Sequence, residues 1–487
     1  MLQITFMGKN IIIPLVLLLF QEFAISQPIA KAQTTITTKI CPREIQLAVD
    51  NITDSPEFSR VRWGILVKNL VSQQTLYQQD AEKYFHPASN TKILTTAAAL
   101  QELGSNFRIR TSIYQDGDGV LRVVGRGDPS IKFPQLQELA QQLRQQGISQ
   151  IKELIADDSY FQGEFIPPSW EWEDLQASYG APVNSLIFNE NASIFKVSPQ
   201  AVGKPLQVKW NELFDAYQWR VENNSVTTQE NQSDFLRINR SLGGPILRVE
   251  GGMAVNSRPN IFAVAVVDPT TNFLGHFRQA LLIAGISVEE MSQGGGEGNQ
   301  RELAAVESLP LSELLKETNS NSNNLYAEAL LRILANKKTI KNTQSTAAVG
   351  LEVLKNALTR LGVEPESYIL VDGSGLSRKN LISPQALVQT LAEIGRSPLG
   401  EVFRNSLPIA GVNGTLKYRL GNTPAAGIVR AKTGTMTGVV SLSGYINPPS
   451  YEPLAFSIIV NHSGEPPKVV RESVDKIVIL LSQLRRC

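Results

Sequence analysis

Cysteine and histidine are scarce in this sequence, which limits the kinds of site it can build. Its 487 residues include 2 cysteines and 3 histidines, and none of them lie at the spacing of a zinc site. Neither cysteine has a pattern typical of a catalytic thiol. We therefore expect neither a metal nor any other cofactor.

The shortage of histidine also argues against a Ser-His-Asp hydrolase. The histidines are His86, His276 and His462, and there is no Gly-x-Ser-x-Gly motif. His462 follows a predicted strand, where a structural or surface role is the simpler interpretation. Histidine is therefore not our candidate base.

An excess of charge of one sign is missing as well. The chain has 46 basic and 45 acidic residues, a formal net charge of +1. It has no basic surplus with which to bind nucleic acid or an anionic membrane. We expect no nucleic-acid partner.

Residues 1–32 have the pattern of a secretory signal peptide. Lys9 supplies the basic region, Ile11 to Phe20 the apolar run and Ala30-Lys31-Ala32 the cleavage site. The apolar run is too short to span a membrane, although an uncleaved membrane anchor is an alternative interpretation. We expect an exported protein of the periplasm or cell-wall space, with at most peripheral membrane association.

Cys41 and Cys487 both survive removal of the signal peptide. An exported chain meets an oxidising compartment, which permits a disulfide bond between them. Two free thiols are the alternative, because the sequence does not give the distance between the two residues.

Pro87-Ala-Ser-Asn-Thr-Lys92 is the first stretch with candidate catalytic residues. Small apolar residues from Thr95 to Leu100 predict a buried helix, which Gly104 ends. Ser89 then lies at the positive end of the helix, and Lys92 shares a face with it. A lysine accepts a serine proton only when it is partly neutral, which burial or a second cation favours.

Ser-x-x-Lys spacing alone is weak, because it recurs at Ser149/Lys152, Ser193/Lys196 and Ser473/Lys476. Two later motifs strengthen it. Ser322-Asn-Asn324 is either a helix boundary with capping residues or a hydroxyl and an amide for catalysis. Lys432-Thr-Gly-Thr435 is either an exposed strand end or a cation, a hydroxyl and an open strand edge for a substrate.

The three motifs in this order resemble those of penicillin-binding proteins and serine β-lactamases. The chain resembles low-molecular-mass, class C penicillin-binding proteins of the D-alanyl-D-alanine carboxypeptidase/endopeptidase type. Leu325-Tyr-Ala-Glu328, Asp372-Gly-Ser-Gly-Leu376 and Gly411-Val-Asn-Gly-Thr415 also resemble family segments. Asn323 is a departure, since Asp is frequent there in the family.

The resemblance implies an α+β, multidomain fold, in which a catalytic antiparallel sheet is flanked by helices. Ser89 and Ser322 are 233 residues apart, which leaves room for an inserted domain. We expect a catalytic domain of residues 33–106 and 286–487, an inserted mostly-β domain of 107–132 and 183–285, and a nested small α/β domain of 133–182. The catalytic domain would hold both cysteines, which favours the disulfide.

The resemblance also implies roles for the first two motifs. Ser89 would attack the carbonyl between two D-alanines of a peptidoglycan stem peptide, with Lys92 as the base. Lys432 would depress the pKa of Lys92, and Ser322 would pass the proton to the leaving amine. β-Lactam antibiotics would acylate Ser89 as inhibitors.

Around the reacting bond, the resemblance implies an oxyanion hole made by the backbone N–H groups of Ser89 and Thr435. Asn324 would hold the acyl-side amide. Lys432 and Thr433 would bind the terminal carboxylate, and Gly434 would leave the strand edge open.

Two other functions stay open at this point. One is a β-lactamase or esterase of the same superfamily, and the other is a non-catalytic protein that binds the cell wall. The sequence does not distinguish trimming of terminal D-alanine from cleavage of cross-links.

Overall fold

A computed structural model of the protein describes residues 39–296, 301–338 and 344–487. The predicted signal peptide, residues 1–32, lies outside these ranges. Within them, no helix combines the length and the apolar character needed to cross a membrane.

The described residues form strands and helices along the whole chain. The strands are β1 Arg62–Asn69, β2 Thr75–Gln79, β3 Arg110–Gly117, β4 Val120–Val124, β5 Gln150–Asp157, β6 Ala192–Ser198, β7 Gln207–Trp210, β8 Arg220–Thr228, β9 Phe235–Arg240, β10 Ile246–Ala254, β11 Asn260–Ala265, β12 Ser287–Gln293, β13 Arg301–Glu307, β14 Tyr368–Ile369, β15 Leu381–Ile382, β16 Val429–Met436, β17 Val439–Ile446 and β18 Leu454–Asn461. The helices are α1 Ile45–Thr53, α2 Thr91–Leu103, α3 Phe133–Gln145, α4 Asp215–Gln218, α5 Pro269–Ile283, α6 Leu311–Ser320, α7 Asn324–Leu334, α8 Thr346–Leu361, α9 Pro384–Arg396, α10 Gly400–Ser406 and α11 Pro467–Ser482.

A five-stranded antiparallel sheet, in the order β16-β17-β18-β1-β2, joins the first and last parts of the described chain. β17 and β18 are buried along their whole length, which explains their nearly continuous apolar sequence. α1 and α11 cover one face, while α9, with α2 packed against it, covers the other. The predicted α+β class, with an antiparallel sheet flanked by helices, is confirmed.

A second five-stranded sheet is mixed, in the order β12-β5-β4-β3-β13. β4, β5 and β12 run parallel, and α3 makes the crossover from β4 to β5, as parallel neighbours require. Apolar side chains of α3 and α5 pack against this sheet.

The mixed sheet crosses the domain limits that we expected from the sequence. β5, in the expected nested domain, pairs with β4 of the expected inserted domain. Of the two strands in the expected catalytic domain, β12 pairs with β5 and β13 pairs with β3. Parallel pairing joins strands that are distant in the chain, so the sequence does not reveal the partners. The limits themselves stay a prediction.

Residues 192–265 form two small sheets, β11-β6-β7 and β8-β10-β9, around a core that includes Phe195, Trp219 and Leu247. This agrees with a mostly-β segment.

Cys41 and Cys487 form a disulfide bond, with their Cα atoms 5.9 Å apart. Beside the bond, the backbone N–H of Ile40 donates to the carbonyl of Gln483 at 3.1 Å. The bond therefore joins the start of the described chain to the segment that follows α11, and the two thiols are not free.

Removing this bond with Cys41→Ser and Cys487→Ser together should lower the free energy of unfolding by about 2 to 4 kcal/mol. The bond spans 446 residues of sequence, so its loss frees a long loop in the unfolded chain. Thermal unfolding with and without reductant measures the effect. Reductant should lower the midpoint of the wild-type protein and leave that of the double variant unchanged; an equal response of both would contradict this.

Candidate active site

Ser89 lies in a 3₁₀ turn, Ala88–Asn90, that leads directly into α2. The segment before it is fastened to the antiparallel sheet, because the Ser441 hydroxyl of β17 donates to the Pro87 carbonyl at 2.7 Å. Ala88 has a φ of 48°, a conformation that residues other than glycine rarely adopt. These constraints hold the Ser89 hydroxyl at the positive end of α2.

Lys92 lies in the first turn of α2 with no exposed surface. Its Nζ is 3.0 Å from Oγ of Ser89, 2.6 Å from Oδ1 of Asn324 and 2.6 Å from the carbonyl oxygen of Ser374. The predicted nucleophile and the predicted base are therefore in direct contact, and two further acceptors orient the amine.

Lys432, on β16, is a second amine with no exposed surface. Its Nζ is 2.8 Å from Oγ of Ser322 and 2.8 Å from the carbonyl oxygen of Thr433. Ser322 lies between α6 and α7, with a φ of 63°. The three predicted motifs thus come together, and each of the two serine hydroxyls has its own buried amine.

Burial lowers the pKa of Lys92 to about 7, although the negative charges of Asp372 and Glu328 oppose this. Burial, and then the positive charge of Lys92, lower the pKa of Lys432 well below its usual range. We expected the Lys432 charge to depress the pKa of Lys92; instead, burial is the main cause. Two ammonium groups this deeply buried are costly to keep charged together.

Lys432, Thr433, Gly434 and Thr435 occupy the last half of β16, whose hydrogen-bonded strand neighbour among the described residues is β17. Gly434 has to be glycine, because a Cβ there would collide with the Ser441 hydroxyl and lie 2.9 Å from the Pro87 carbonyl oxygen. The missing side chain lets β16 approach the turn that holds Ser89.

These groups border a cleft of about 760 Å³. Of the predicted site residues, Ser89, Ser322, Asn324 and Thr435 line it. The other lining residues are Ala88, Glu171, Glu173, Asp174, Tyr179, Gly375, Leu376, Arg378, Met436 and Thr437. Lys92 and Lys432 lie beneath its surface, so they reach the cleft through the hydroxyls of Ser89 and Ser322.

Thr433 and Asn324 have partners within the protein that the sequence did not predict. The Thr433 hydroxyl donates to Oγ1 of Thr415 at 2.8 Å, and Thr433 is buried rather than part of the cleft wall. The Asn324 amide nitrogen donates to the Tyr179 carbonyl at 2.9 Å. Asn324 therefore holds the Lys92 amine and the cleft wall together.

Asp372, Glu328 and Trp170 also belong to the site, and sequence reasoning assigned them no role. The Trp170 indole donates to Oδ2 of Asp372 at 3.0 Å, so this tryptophan helps to hold the carboxylate in place. The matches at Leu325-Tyr-Ala-Glu328 and Asp372-Gly-Ser-Gly-Leu376 were the available signal, because a carboxylate within an apolar or glycine-rich stretch needs a partner.

Asn323 connects the second motif to a distant segment. Its Oδ1 accepts from the backbone N–H of Tyr326 at 3.2 Å, which caps α7, and its Nδ2 donates to Oε2 of Glu190 at 2.7 Å. Asn189, Glu190 and Asn191 have successive φ values of 46°, 58° and 50°. Three consecutive residues in this conformation persist only where their surroundings enforce it.

Here a serine hydroxyl at the start of a helix is hydrogen-bonded to a buried, partly neutral lysine beside an open sheet edge. This arrangement is typical of enzymes that transfer acyl groups through an active-site serine with lysine as base. The chain matches the model of the D-Ala-D-Ala carboxypeptidase 3 (S13) family over residues 45–483. It belongs to that family of serine peptidases.

Individual relatives agree with this membership. The chain is 33% identical to a D-alanyl-D-alanine carboxypeptidase of Actinomadura sp. (strain R39), over 88% of this chain and 84% of the relative. It is 30% identical to a penicillin-sensitive carboxypeptidase A of Dictyostelium discoideum, over 91% and 92%. The crystal structure of penicillin binding protein 4 (dacB) from Haemophilus influenzae superposes with a TM-score of 0.75 at 25% identity, covering 89% of this chain and 98% of that one.

Asn323→Asp should slow acylation of the protein by a fluorescent penicillin. The activation free energy of acylation should rise by about 1 to 3 kcal/mol. An aspartate caps a helix as well as an asparagine, so the rise would come from placing a second carboxylate against Glu190. The acylation rate is measured at neutral pH from labelling reactions that are quenched at successive times.

The matched control is Glu190→Gln together with Asn323→Asp, which restores one donor and one acceptor at this contact. This double variant should regain most of the wild-type rate. An unaffected single variant, or a double variant that recovers nothing, would contradict the importance of the contact.

Proposed function

We propose that Ser89 is the nucleophile of a serine-type D-Ala-D-Ala carboxypeptidase and forms an acyl-enzyme with peptidoglycan stem peptides. The observation that carries this is the 3.0 Å contact between Nζ of Lys92 and Oγ of Ser89, together with the pKa of about 7 that burial imposes on Lys92. At neutral pH a large share of Lys92 is then neutral and able to take the serine proton.

In the first step, Oγ of Ser89 bonds to the carbonyl carbon between the two D-alanines, and its proton moves to Nζ of Lys92. As the C–N bond breaks, Ser322 hands its hydroxyl proton to the leaving amine, and the proton that Lys92 took from Ser89 replaces it, so that Lys92 is neutral again. The 2.8 Å contact between Ser322 and Lys432 supports Ser322 in this role. Water then hydrolyses the ester and frees Ser89.

The developing oxyanion would be stabilised by the backbone N–H groups of Ser89 and Thr435, which both line the cleft. Loss of one such donor typically raises a barrier by about 3 kcal/mol. The substrate would lie along the outer edge of β16.

For the terminal carboxylate, Lys432 lies beneath the cleft, and an approaching carboxylate would favour its ammonium form. Thr433 would contact the carboxylate only by giving up its bond to Thr415. For the acyl-side amide, Asn324 would exchange its bond to the Tyr179 carbonyl for one to the substrate.

The names of two relatives support the substrate, and the disulfide bond supports the compartment. The names of the Actinomadura and Dictyostelium relatives describe a D-alanyl-D-alanine carboxypeptidase and penicillin sensitivity, which suit peptidoglycan stem peptides as substrates and β-lactams as inhibitors. The Cys41–Cys487 bond favours an oxidising compartment such as the periplasm or cell-wall space. It fits export through the predicted signal peptide, with at most peripheral membrane association.

Ser89→Ala should lower D-alanine release by at least about 10³-fold and abolish covalent penicillin labelling, because no other nucleophile contacts Lys92 in the described chain. Mass spectrometry of cross-linked muropeptides measures it and also shows whether the wild-type enzyme trims terminal D-alanine, cuts cross-links or does both.

Ser149→Ala is a matched control, since it removes a serine at the same spacing from a lysine. Lys152 there is exposed and pairs with Asp118 at 2.9 Å, so activity should be unchanged. D-alanine release by Ser89→Ala at the wild-type rate would refute the proposal. Fast turnover of penicillin would favour a β-lactamase, and muropeptide binding without any release would favour a non-catalytic protein.

The acylation rate should rise with pH through about 7, because Lys92 must lose its proton before it can accept one from Ser89. Below that pH the rate should fall about tenfold for each unit. The rate constant for labelling by fluorescent penicillin, measured from pH 5 to pH 9, tests this. A rate that is still rising tenfold per unit at pH 9 would mean that Lys92 retains an ordinary pKa and is not the base.

A further inference from the structure

A main-chain carbonyl helps to orient the Lys92 amine. One of the three acceptors around its amine is the Ser374 carbonyl oxygen, at 2.6 Å. Ser374 belongs to the segment of residues 372–377, which we name the carbonyl loop and which contains no helix or strand. The position of this loop therefore decides where the amine points.

Glu328, on α7, holds the carbonyl loop from one side. Its Oε1 accepts hydrogen bonds from the backbone N–H groups of Gly373 at 2.8 Å and of Ser374 at 2.9 Å. Its Oε2 is 3.0 Å from the guanidinium of Arg332. Both side chains of this ion pair are almost completely buried, so water offers no alternative partners.

Asp372 holds the loop from within. Its Oδ1 accepts from the backbone N–H of Gly375 and its Oδ2 from that of Ser377, at 2.8 Å and 2.7 Å. The Asn380 amide donates to the same carboxylate at 2.7 Å. Gly375 has a φ of 83°, and a Cβ there would collide with the carbonyl of Ala88. The loop therefore touches the residue before the nucleophile as well as the base.

The charges near Lys92 have opposing signs. Asp372 and Glu328 both raise its pKa and thereby favour its ammonium form. Lys432, from β16, and Arg332, through its pairing with Glu328, bring positive charge to the same region. Lys92 thus acquires a proton next to carboxylates that the hydrogen bonds of the loop keep in place.

We propose that Asp372 and Glu328 are positioning residues for the base of this enzyme. They fix the carbonyl loop so that Ser374 aims the Lys92 amine at Ser89, and their negative charge stabilises the ammonium that forms when Oγ of Ser89 bonds to the substrate carbonyl. The ammonium returns to the neutral amine when its proton leaves through the departing amine. The inference rests on the proposed role of Ser89 and Lys92.

The test replaces the ion pair as a unit, with Glu328→Gln and Arg332→Met together, because removing one partner of a buried pair destabilises a fold far more than removing both. Glutamine keeps the acceptor for Gly373 and Ser374 but loses the charge. The pH at half-maximal penicillin labelling should move down by about one unit, and the plateau rate should fall about tenfold.

Asp372→Asn is the independent second variant, and it should shift the midpoint down. Asp215→Asn is the matched control: Asp215 is a buried carboxyl bonded to Ser193 and Gln218, outside the site, and its loss should leave the profile in place.

A midpoint that stays at the wild-type pH in these variants, whatever the rate, would overturn the inference and leave the acids a purely structural role. That result differs from failure of the proposed function. If the wild-type protein does not label, or if Ser89→Ala labels equally well, the nucleophile assignment fails before these variants are compared.

Discussion

The structure depends on keeping two lysine side chains out of water within one site. Lys92 and Lys432 have no exposed surface, and moving a charge of this size into the interior costs several kcal/mol even after relaxation. The chain reduces that cost in two ways. It surrounds both amines with hydroxyl, amide and carbonyl acceptors, and it places the acids Asp372 and Glu328 near Lys92. The cost that remains lowers the pKa of both lysines, as the proposed role of Lys92 as a base requires.

Such an arrangement needs a rigid frame, and the antiparallel sheet supplies it. β17 and β18 are buried along their length and lie between β16, which carries Lys432, and β1. Asn461, at the end of β18, exchanges two hydrogen bonds with the backbone of His86 just before the Ser89 turn. Ser89, Lys92 and the edge strand β16 are thus all attached to the same sheet.

The sequence predicted the local elements of the site well, because helix ends, strand runs and the three motifs have local signals. The burial of α2 followed from small apolar residues, and Ser89 was expected at its start. Contacts between residues that are far apart in the sequence have no such local signal. For this reason the sequence did not predict three hydrogen bonds: Asn324 to Tyr179, Thr433 to Thr415 and Asn323 to Glu190. The same limit applies to β12 and β13, whose sheet partners lie far away in the chain.

The sequence allows either burial or a second cation as the cause of a lowered lysine pKa, because it does not show how deeply each lysine is buried. The most direct test is therefore a titration of Lys92 itself. Heteronuclear NMR of protein labelled at the lysine Cε, with the Lys92 signal assigned by Lys92→Arg, should show a midpoint near pH 7. A midpoint near pH 10, the value of an ordinary exposed lysine, would contradict the account.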